Sequence, residues 1–433
     1  MKKKASQFNL FFPYDSHQIG YNSFSDEYII LEEMLYDMYD ASKKTGDFDE
    51  LKQVHQEFFD TLCGKGFLVD NGFDEVEAVK EISRKIDNDD TKFELHINPT
   101  MNCNFKCWYC YETHIKDSKM DEQTVNNTKS FIAGIFNQQT NLKEFTLGWF
   151  GGEPLLYFER VIVPLLEFSY NLARDRGVIF HSSITTNGLL VNSKVIQHAL
   201  GYGLSFFQIT LDGARERHDK VRFISEGRGS YDAIVSNIIT LAQNKITVSI
   251  RINISLETLP GIRQIPGDFL HLDPETKKFL VFDLHKVWQV GEDIDDEIND
   301  ERNYFREMGF NVSSGTMNTV LNSCYGDHRY HATLNYNGEA FKCTARDFTT
   351  LNSEGLLTGN GSIIWNEKYE KRLSSKFKNK PCLECTILPM CGGGCSQQAI
   401  EHEGRDYCVN DFDENKKLQL VKNRFFEILA EHG

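Results

Sequence analysis

Six apolar, strand-like runs alternate with helical stretches between residues 93 and 287, and this alternation restricts the possible folds most. The runs are Phe93–Ile97, Glu144–Phe150, Val178–Ile184, Leu204–Leu211, Thr247–Ile254 and Lys278–Val287. Apolar residues at helical spacing predict helices at Glu122–Asn137, Phe158–Asp175, Lys194–Leu200 and Tyr231–Gln243. Strands that alternate with helices usually form a parallel sheet with right-handed crossovers. The pattern therefore predicts an α/β fold.

Cysteines are the second constraint, because ten of the eleven fall in two groups. The first group follows the first strand-like run and consists of Cys103, Cys107 and Cys110. Three thiolates on one loop can bind three irons of a 4Fe-4S cluster, whereas electron-transfer clusters usually have a fourth cysteine. A zinc site or three buried thiols are the alternatives that the triplet alone leaves open. The eleventh cysteine, Cys63, lies near the apolar face of a helix and is predicted to be a core thiol.

The second group has a spacing that also indicates metal. Thirteen residues separate Cys324 from Gly338, and four separate Gly338 from Cys343. Further along the chain, two, five, three and twelve residues separate the cysteines Cys382, Cys385, Cys391, Cys395 and Cys408. A chain of this length without a signal peptide is not expected to build a disulfide framework, so the clustering points to metal. A zinc knuckle between Cys382 and Cys395 is the alternative.

The charge balance narrows the range of partners. Lys plus Arg number 47 and Asp plus Glu number 63, which gives a formal net charge of −16. Nucleic-acid binding requires a basic footprint, so nucleic acid is not expected as a partner. No apolar run is long enough to span a bilayer, and polar residues interrupt the N-terminus where a signal peptide would be apolar. We therefore expect a cytoplasmic protein with no membrane partner.

The spacing of Cys103, Cys107 and Cys110 resembles the signature of the radical S-adenosylmethionine (SAM) superfamily. This resemblance implies a partial (β/α)6 TIM-like barrel over residues 93–290, with the cluster at the carboxyl ends of its strands. It also implies that the open iron binds the amino and carboxylate groups of SAM. Cleavage of SAM then gives a 5′-deoxyadenosyl radical, which is chemistry that the cofactor supplies.

The resemblance also implies residues around SAM. Gly151, Gly152 and Glu153 form the "GGE" element that receives the SAM amino group, Tyr109 takes the position that contacts adenine, and Thr210 lies near the ribose. Other candidates at strand ends are Thr186, Asn187 and Arg251, for which a turn or a polar barrel interior is the alternative. Asp212 and Asp283 are candidates for the general base or, equally, structural hydrogen-bond acceptors.

The second cysteine group resembles the SPASM domain, which is expected over residues 321–433. A polar bridge at 291–320 precedes it and is predicted to contain a helix at Glu301–Met308. The resemblance implies two auxiliary 4Fe-4S clusters, and therefore three clusters in all. Auxiliary cluster I would use Cys324, Cys343 and Cys395, and auxiliary cluster II would use Cys382, Cys385, Cys391 and Cys408. With three cysteines, cluster I is expected to have an open or exchangeable iron that could bind a substrate thiolate. Water, Asp327 or His328 is the alternative fourth ligand.

Residues 1–92 show strand-like runs around three helical patterns and are expected to form a small winged-helix-like domain. Many radical SAM peptide maturases have such a domain, which captures a leader peptide by adding it as a strand to a sheet edge. A structural cap on the barrel is the alternative. The expected partners are a precursor peptide with a leader sequence and an electron donor such as a flavodoxin or ferredoxin.

The sequence as a whole predicts a radical SAM/SPASM enzyme that modifies a ribosomally synthesised (RiPP) peptide. Hydrogen abstraction would lead to a thioether or carbon–carbon cross-link. One rival is a sulfatase-maturing oxidase that makes formylglycine, which the extension before Cys103 disfavours. The other is a non-enzymatic iron–sulfur electron carrier, which would have no use for the GGE element.

Overall fold

The computed structural model describes residues 2–287, 291, 294–313 and 319–432. The chain divides into two compact units, of which the first comprises residues 1–89, 315–329 and 367–433 and the second comprises 90–314 and 330–366. The domain boundaries expected from the sequence stay predictions. Parts of the expected bridge, including Glu292 and Asp293, lie outside the described residues.

The secondary structure is numbered in chain order. The strands are β1 (Lys3–Ala5), β2 (Asn9–Tyr14), β3 (His17–Asn22), β4 (Glu27–Glu32), β5 (Leu68–Asp70), β6 (Lys92–Ile97), β7 (Glu144–Trp149), β8 (Ile179–Thr186), β9 (Leu204–Leu211), β10 (Phe223–Ser225), β11 (Arg228–Gly229), β12 (Thr247–Ile254), β13 (Leu280–Lys286), β14 (Asn311–Val312), β15 (His331–Leu334), β16 (Glu339–Phe341), β17 (Gly355–Leu357) and β18 (Ile363–Trp365). The α-helices are α1 (Glu33–Thr45), α2 (Asp49–Val54), α3 (Gln56–Gly64), α4 (Glu75–Asp87), α5 (Glu122–Gln138), α6 (Val163–Arg176), α7 (Ser193–Tyr202), α8 (Arg215–Val221), α9 (Tyr231–Gln243), α10 (Pro274–Lys277), α11 (Asp295–Glu307), α12 (Glu367–Leu373), α13 (Lys380–Leu383), α14 (Leu388–Cys391), α15 (Ser396–Glu401) and α16 (Glu414–His432).

The N-terminal part of the first unit contains two small antiparallel sheets and four helices. Strands β2, β3 and β4 form a three-stranded sheet with β3 in the middle, and β1 pairs with β5. Asp74 caps the start of α4, because its carboxylate accepts a hydrogen bond of 2.9 Å from the backbone N–H of Glu77. Within the described residues, β4 is paired on one side only, so it is an edge strand.

The C-terminal part of the first unit shares an apolar core with this N-terminal sheet. The cluster joins side chains of β2 and β3 to those of α14 and α16, and its buried members are Leu10, Phe12, Ile19, Tyr21, Ile387, Met390, Val421 and Phe425. The hydroxyl of Tyr28 also donates to the backbone carbonyl of Val421 at 3.0 Å. Because burial of apolar side chains is the main favourable term in folding, these two parts of the unit depend on each other for stability.

The second unit is built on an eleven-stranded sheet whose order is β14-β13-β12-β9-β8-β7-β6-β15-β16-β17-β18. Its six central strands, β6 to β9 with β12 and β13, are parallel to one another. They coincide with the six strands predicted from the sequence, which confirms the α/β prediction. Helices α5, α6, α7 and α9 pack against these strands in one continuous apolar core.

Two helices of the second unit differ from the sequence-based prediction. A single helix was expected over Phe158–Asp175, but a π-helical turn at Phe158–Ile162 precedes α6. Pro164 explains the break, because a proline has no backbone N–H and is accommodated only in the first turn of a helix. Helix α11 begins at Asp295, six residues before the expected start at Glu301, because acidic residues in its first turn favour a helix N-terminus.

No helix in the described part of the chain has the length and apolar character needed to cross a membrane.

Candidate active site

The first cysteine group lies on the loop that follows β6, at the carboxyl edge of the parallel strands. Cys103 and Cys107 are half-buried and Cys110 is exposed. The backbone N–H of Phe105 donates to the Cys103 sulfur at 3.4 Å. Burial raises the pKa of the Cys103 thiol to about 12 and that of Cys110 to about 11. In the absence of metal these thiols are therefore protonated, and a metal would have to displace their protons.

Hydrogen bonds close the base of this loop and fix its end. The hydroxyl of Thr100 donates to the backbone carbonyl of Ser118 at 2.6 Å, which joins the beginning of the loop to its return. After Cys110, the Tyr111 hydroxyl donates to the carbonyl of Thr344 at 2.7 Å. The chain that carries the three thiols is thus anchored at both ends, and its donor set of three sulfurs fits a cluster with one iron left open.

Thr113 and Glu112 provide two further anchors. The backbone N–H and the hydroxyl of Thr113 both donate to the Asp347 carboxylate, at 2.8 Å and 2.6 Å. The Glu112 carboxylate accepts a hydrogen bond of 2.7 Å from the backbone N–H of Gly152. Burial raises the pKa of Glu112 to about 7. Sequence reasoning missed Glu112 and Asp347, because their partners are distant in the chain.

The glycine pair after β7 lies directly against the cysteine loop. Gly151 and Gly152 have φ angles of +78° and +52°, a region that L-residues with side chains rarely adopt. A Cβ atom at Gly152 would overlap the backbone carbonyl of Asn102, and one at Gly151 would overlap the side chain of Asn98. The cysteine loop itself therefore makes the close approach that these two glycines permit, and their contact with SAM stays a prediction.

Glu153 is fully buried and its carboxylate is held by donors of this chain. Oε1 accepts from the Thr186 hydroxyl at 2.7 Å and from the Leu155 N–H at 3.0 Å. Oε2 accepts from the backbone N–H of Asn187 at 2.8 Å. Burial raises the pKa of Glu153, while these hydrogen bonds act in the opposite direction. The geometry thus brings together three predicted site residues, Glu153, Thr186 and Asn187, and gives the carboxylate a positioning role.

Replacing Glu153 by alanine is expected to destabilise the protein as well as weaken SAM binding. The change would leave three buried donors without their acceptor, at a cost of about 1–3 kcal/mol for each group. Thermal unfolding and equilibrium SAM binding measure the two effects, with Glu153→Gln as the matched control that keeps the side-chain volume. An alanine variant of unchanged stability that has lost SAM affinity would instead show that the carboxylate contacts SAM directly.

Asp212 forms the centre of a second buried network, together with Tyr109 and Arg222. The Tyr109 hydroxyl donates to both carboxylate oxygens of Asp212, at 2.6 Å and 2.7 Å. The Arg222 guanidinium donates to Asp212 Oδ2 at 2.7 Å and to the Tyr109 hydroxyl oxygen at 2.6 Å. Burial would raise the pKa of Asp212, but the charge of Arg222 and the Tyr109 hydrogen bond outweigh it and lower the pKa. Asp212 is therefore ionised, and both of its carboxylate oxygens accept hydrogen bonds from Tyr109 or Arg222. Sequence reasoning missed Arg222, because no spacing rule singles out a lone arginine.

The strand register places the remaining candidates side by side. Arg251 on β12 lies next to Thr210 on β9 and next to Asp283 on β13. Asn253, two residues further on β12, donates to Asp212 at 3.2 Å and is in register with His285. Burial, reinforced by the charge of Arg251, lowers the pKa of His285 to about 4. His285 is a further residue that sequence reasoning missed, and its neutral imidazole adds a polar group near Asp283 on the same strand.

Four cysteines of the second group line one small cavity in the first unit. They are Cys382, Cys385, Cys391 and Cys408. The side-chain amide of Asn379 donates to the Cys382 sulfur at 2.9 Å. Four thiols that converge on one cavity fit the four cysteine ligands of a 4Fe-4S cluster, as expected for auxiliary cluster II.

The residues expected at auxiliary cluster I belong to different parts of the chain. Cys324 and Cys395 are in the first unit, and Cys343 is in the second. Among the alternative fourth ligands, Asp327 is buried and forms an ion pair of 3.7 Å with Lys376, while His328 is half-buried. The ligand set of this cluster stays a prediction.

Comparison with known proteins gives a match over the central part of the chain. Residues 97–260 match the radical SAM superfamily model. The radical SAM cyclopropyl synthase TigE of Paramaledivibacter caminithermalis is 24% identical over 85% of this chain and 81% of its own length. The Fe-coproporphyrin III synthase of Methanosarcina barkeri is 29% identical over 62% of this chain and 65% of its own. A cysteine-type anaerobic sulfatase-maturating enzyme of Clostridium novyi is 28% identical over 41% of this chain and 48% of its own.

Among solved structures, SuiB of Streptococcus suis, bound to the precursor peptide SuiA, is similar across most of the chain. The TM-score is 0.54 at 16% identity, and the match covers 94% of this chain and 98% of SuiB. At this identity the likeness shows the fold alone, which is an α/β fold like that of SuiB.

Proposed function

We propose that this chain, a radical SAM enzyme by its residues 97–260 and its fold, modifies a ribosomally synthesised peptide. The observation that carries the proposal is the packing of the three-cysteine loop against the Gly151–Gly152 turn at the carboxyl edge of the parallel strands. The peptide substrate is supported by the likeness to SuiB, whose structure contains a precursor peptide.

Three residues, Cys103, Cys107 and Cys110, would hold the catalytic 4Fe-4S cluster. When bound, the cluster and SAM supply a 5′-deoxyadenosyl radical that abstracts hydrogen from the substrate. The chain's own contribution is to bind and orient. Its narrow loop, tied to Thr344 and Asp347, keeps the three sulfurs together. Glu153 holds the ends of β8 and of the glycine turn in one arrangement.

The polar side chains at the strand ends would orient SAM and the substrate. We assign Tyr109 to the adenine, because the ion pair of Asp212 and Arg222 fixes its hydroxyl and hence its ring. Thr210 and Arg251 are adjacent on neighbouring strands and are assigned to the ribose and carboxylate of SAM. Since Asp212 is already engaged by Arg222 and Tyr109, Asp283 is the better candidate for a proton acceptor.

The C-terminal cysteines are proposed to form a SPASM domain with two auxiliary clusters. The common cavity of Cys382, Cys385, Cys391 and Cys408 supports cluster II. Cluster I would use Cys324, Cys343 and Cys395. A flavodoxin or ferredoxin is the proposed electron donor for the three clusters.

The N-terminal part of the first unit is proposed to recognise the leader of the precursor peptide. Strand β4 offers an edge to which an extended peptide can add by backbone hydrogen bonds. Ile30 on β4 keeps 59% of its surface exposed, which provides an apolar contact for the peptide.

Incubation of the anaerobically reconstituted enzyme with SAM, a reductant and a candidate precursor peptide tests the function. We expect 5′-deoxyadenosine together with a peptide that has lost two hydrogen atoms for each cross-link. Conversion of a cysteine to formylglycine would remove sulfur and support the sulfatase-maturing alternative, which the likeness to the Clostridium novyi enzyme keeps open. No 5′-deoxyadenosine from an iron-loaded enzyme would refute radical SAM chemistry.

A further inference from the structure

The imidazole of His114 lies beside the sulfur of Cys110. Its Nε2 atom is 3.5 Å from Cys110 Sγ, which is within the range of a hydrogen bond to sulfur. Cys110, Glu112 and His114 each have one potential metal-ligand atom, and these three atoms lie within 4.8 Å of one another. His114 is half-buried, so solvent has only partial access to this contact.

The preceding residues hold His114 in place. Tyr111 is bonded to Thr344, and Thr113 is bonded to Asp347. Between them, Glu112 is bonded to the backbone of Gly152. Three consecutive residues are therefore tied to two other segments of the second unit, the stretch from Thr344 to Asp347 and the glycine turn at Gly152. The contact between His114 and Cys110 thus does not depend on a freely moving loop.

The chemistry of the pair determines which atom carries the proton. A thiolate bound to iron has lost its proton and can only accept hydrogen bonds. The neighbouring ring nitrogen of His114 must then be an N–H donor. Hydrogen bonds to the sulfurs of an iron–sulfur cluster are one of the factors that set its reduction potential, and a donor stabilises the more negative, reduced state.

We propose that His114 donates a hydrogen bond to the Cys110 sulfur and thereby raises the reduction potential of the cluster at Cys103, Cys107 and Cys110. The inference rests on this proposed cluster and is independent of the peptide substrate. His114 is thus a positioning and tuning residue, which makes the cluster easier to reduce before SAM is cleaved.

The proposal is tested by redox titration of the reconstituted enzyme, followed by electron paramagnetic resonance without peptide. The SAM-binding cluster is identified as the one whose spectrum changes when SAM is added. Two variants are compared with the wild type: His114→Phe, which removes the donor and keeps a ring, and His114→Gln, which keeps an N–H donor. His181→Phe is the matched control, because His181 is an exposed histidine of the same unit whose carboxylate neighbour is Glu144.

We expect His114→Phe to lower the ratio of reduced to oxidised cluster about tenfold at a fixed potential, which corresponds to a midpoint about 59 mV more negative for this one-electron couple. His114→Gln should retain at least part of the wild-type midpoint, and His181→Phe should retain all of it. A phenylalanine variant with the wild-type midpoint would overturn the proposal. So would a glutamine variant shifted as far as the phenylalanine variant.

Metal analysis of the same samples is a second, independent test of the role of His114. Iron content should be equal in the wild type and both His114 variants, because a hydrogen-bond donor is not a ligand. Loss of a cluster's iron from both variants would show that His114 binds metal, and would overturn its role as a donor. Since no peptide is present, failure here is distinguishable from failure of the proposed function, which would show as an absence of peptide modification.

Discussion

We expect that replacing Cys103, Cys107 and Cys110 together by alanine will remove about a third of the iron and abolish SAM cleavage. The three proposed 4Fe-4S clusters would contain about 12 irons per chain, of which the variant should keep about eight. SAM cleavage should be lost entirely, because the cysteines proposed for the other two clusters are not those proposed to bind the SAM cluster. Iron analysis after anaerobic reconstitution and chromatography for 5′-deoxyadenosine provide the two measurements.

Cys63→Ala is the control for this experiment. Cys63 lies outside both cysteine groups and packs beside the apolar core formed by α1, α3 and neighbouring strands. We expect the variant to keep its iron and its SAM cleavage. A wild-type protein that saturates at the iron of a single cluster would contradict the two auxiliary clusters, although not the radical SAM domain.

Changing the edge strand β4 is expected to separate peptide processing from SAM cleavage. In Ile30→Glu, an exposed apolar contact is replaced by a charge on the strand to which the leader would add. Loss of one central contact commonly costs about 2 kcal/mol of binding, so leader affinity should fall about thirtyfold. Fluorescence anisotropy with a labelled leader peptide measures the affinity. Cleavage of SAM in the absence of peptide should remain at the wild-type rate.

Ile179→Glu is a well-matched control, because Ile179 is 60% exposed at the start of β8 in the second unit, compared with 59% for Ile30. It should bind the leader as the wild type does. Equal affinity of both variants would exclude recognition along β4. Deletion of residues 1–90 is a poorer test, since it would expose the apolar side chains of α14 and α16 that pack against β2 and β3.

The central sheet could be predicted from the sequence because each of its six parallel strands is a local apolar run. Strands β9 and β12 begin and end where the sequence placed them. The short strands β15 to β18 could not be predicted in this way. They are three or four residues long, and β15 joins the sheet only by pairing with β6, more than two hundred residues earlier.

The residues of the site could be predicted from the sequence where they form a short motif with a fixed spacing. The three cysteines and the glycine turn are such patterns, whereas the function of Glu153 is not. Its carboxylate meets its donors Thr186 and Asn187 only when the end of β8 reaches the loop after β7. Arg222 and Asp212 are likewise joined by the fold, because the nine residues between them contain the helix α8.

The pairing of β15 with β6 limits how this enzyme can be recombined with its relatives. Strand β6 leads directly into the cysteine loop, and β15 lies along its side in parallel register. If the chain from residue 330 onward were replaced by that of another enzyme, the new segment would have to pair with β6 in the same register as β15 does. A mismatch would leave β6 as an unprotected sheet edge, which is prone to aggregation. Any exchange of the C-terminal cysteines between such enzymes must therefore keep the pairing with β6.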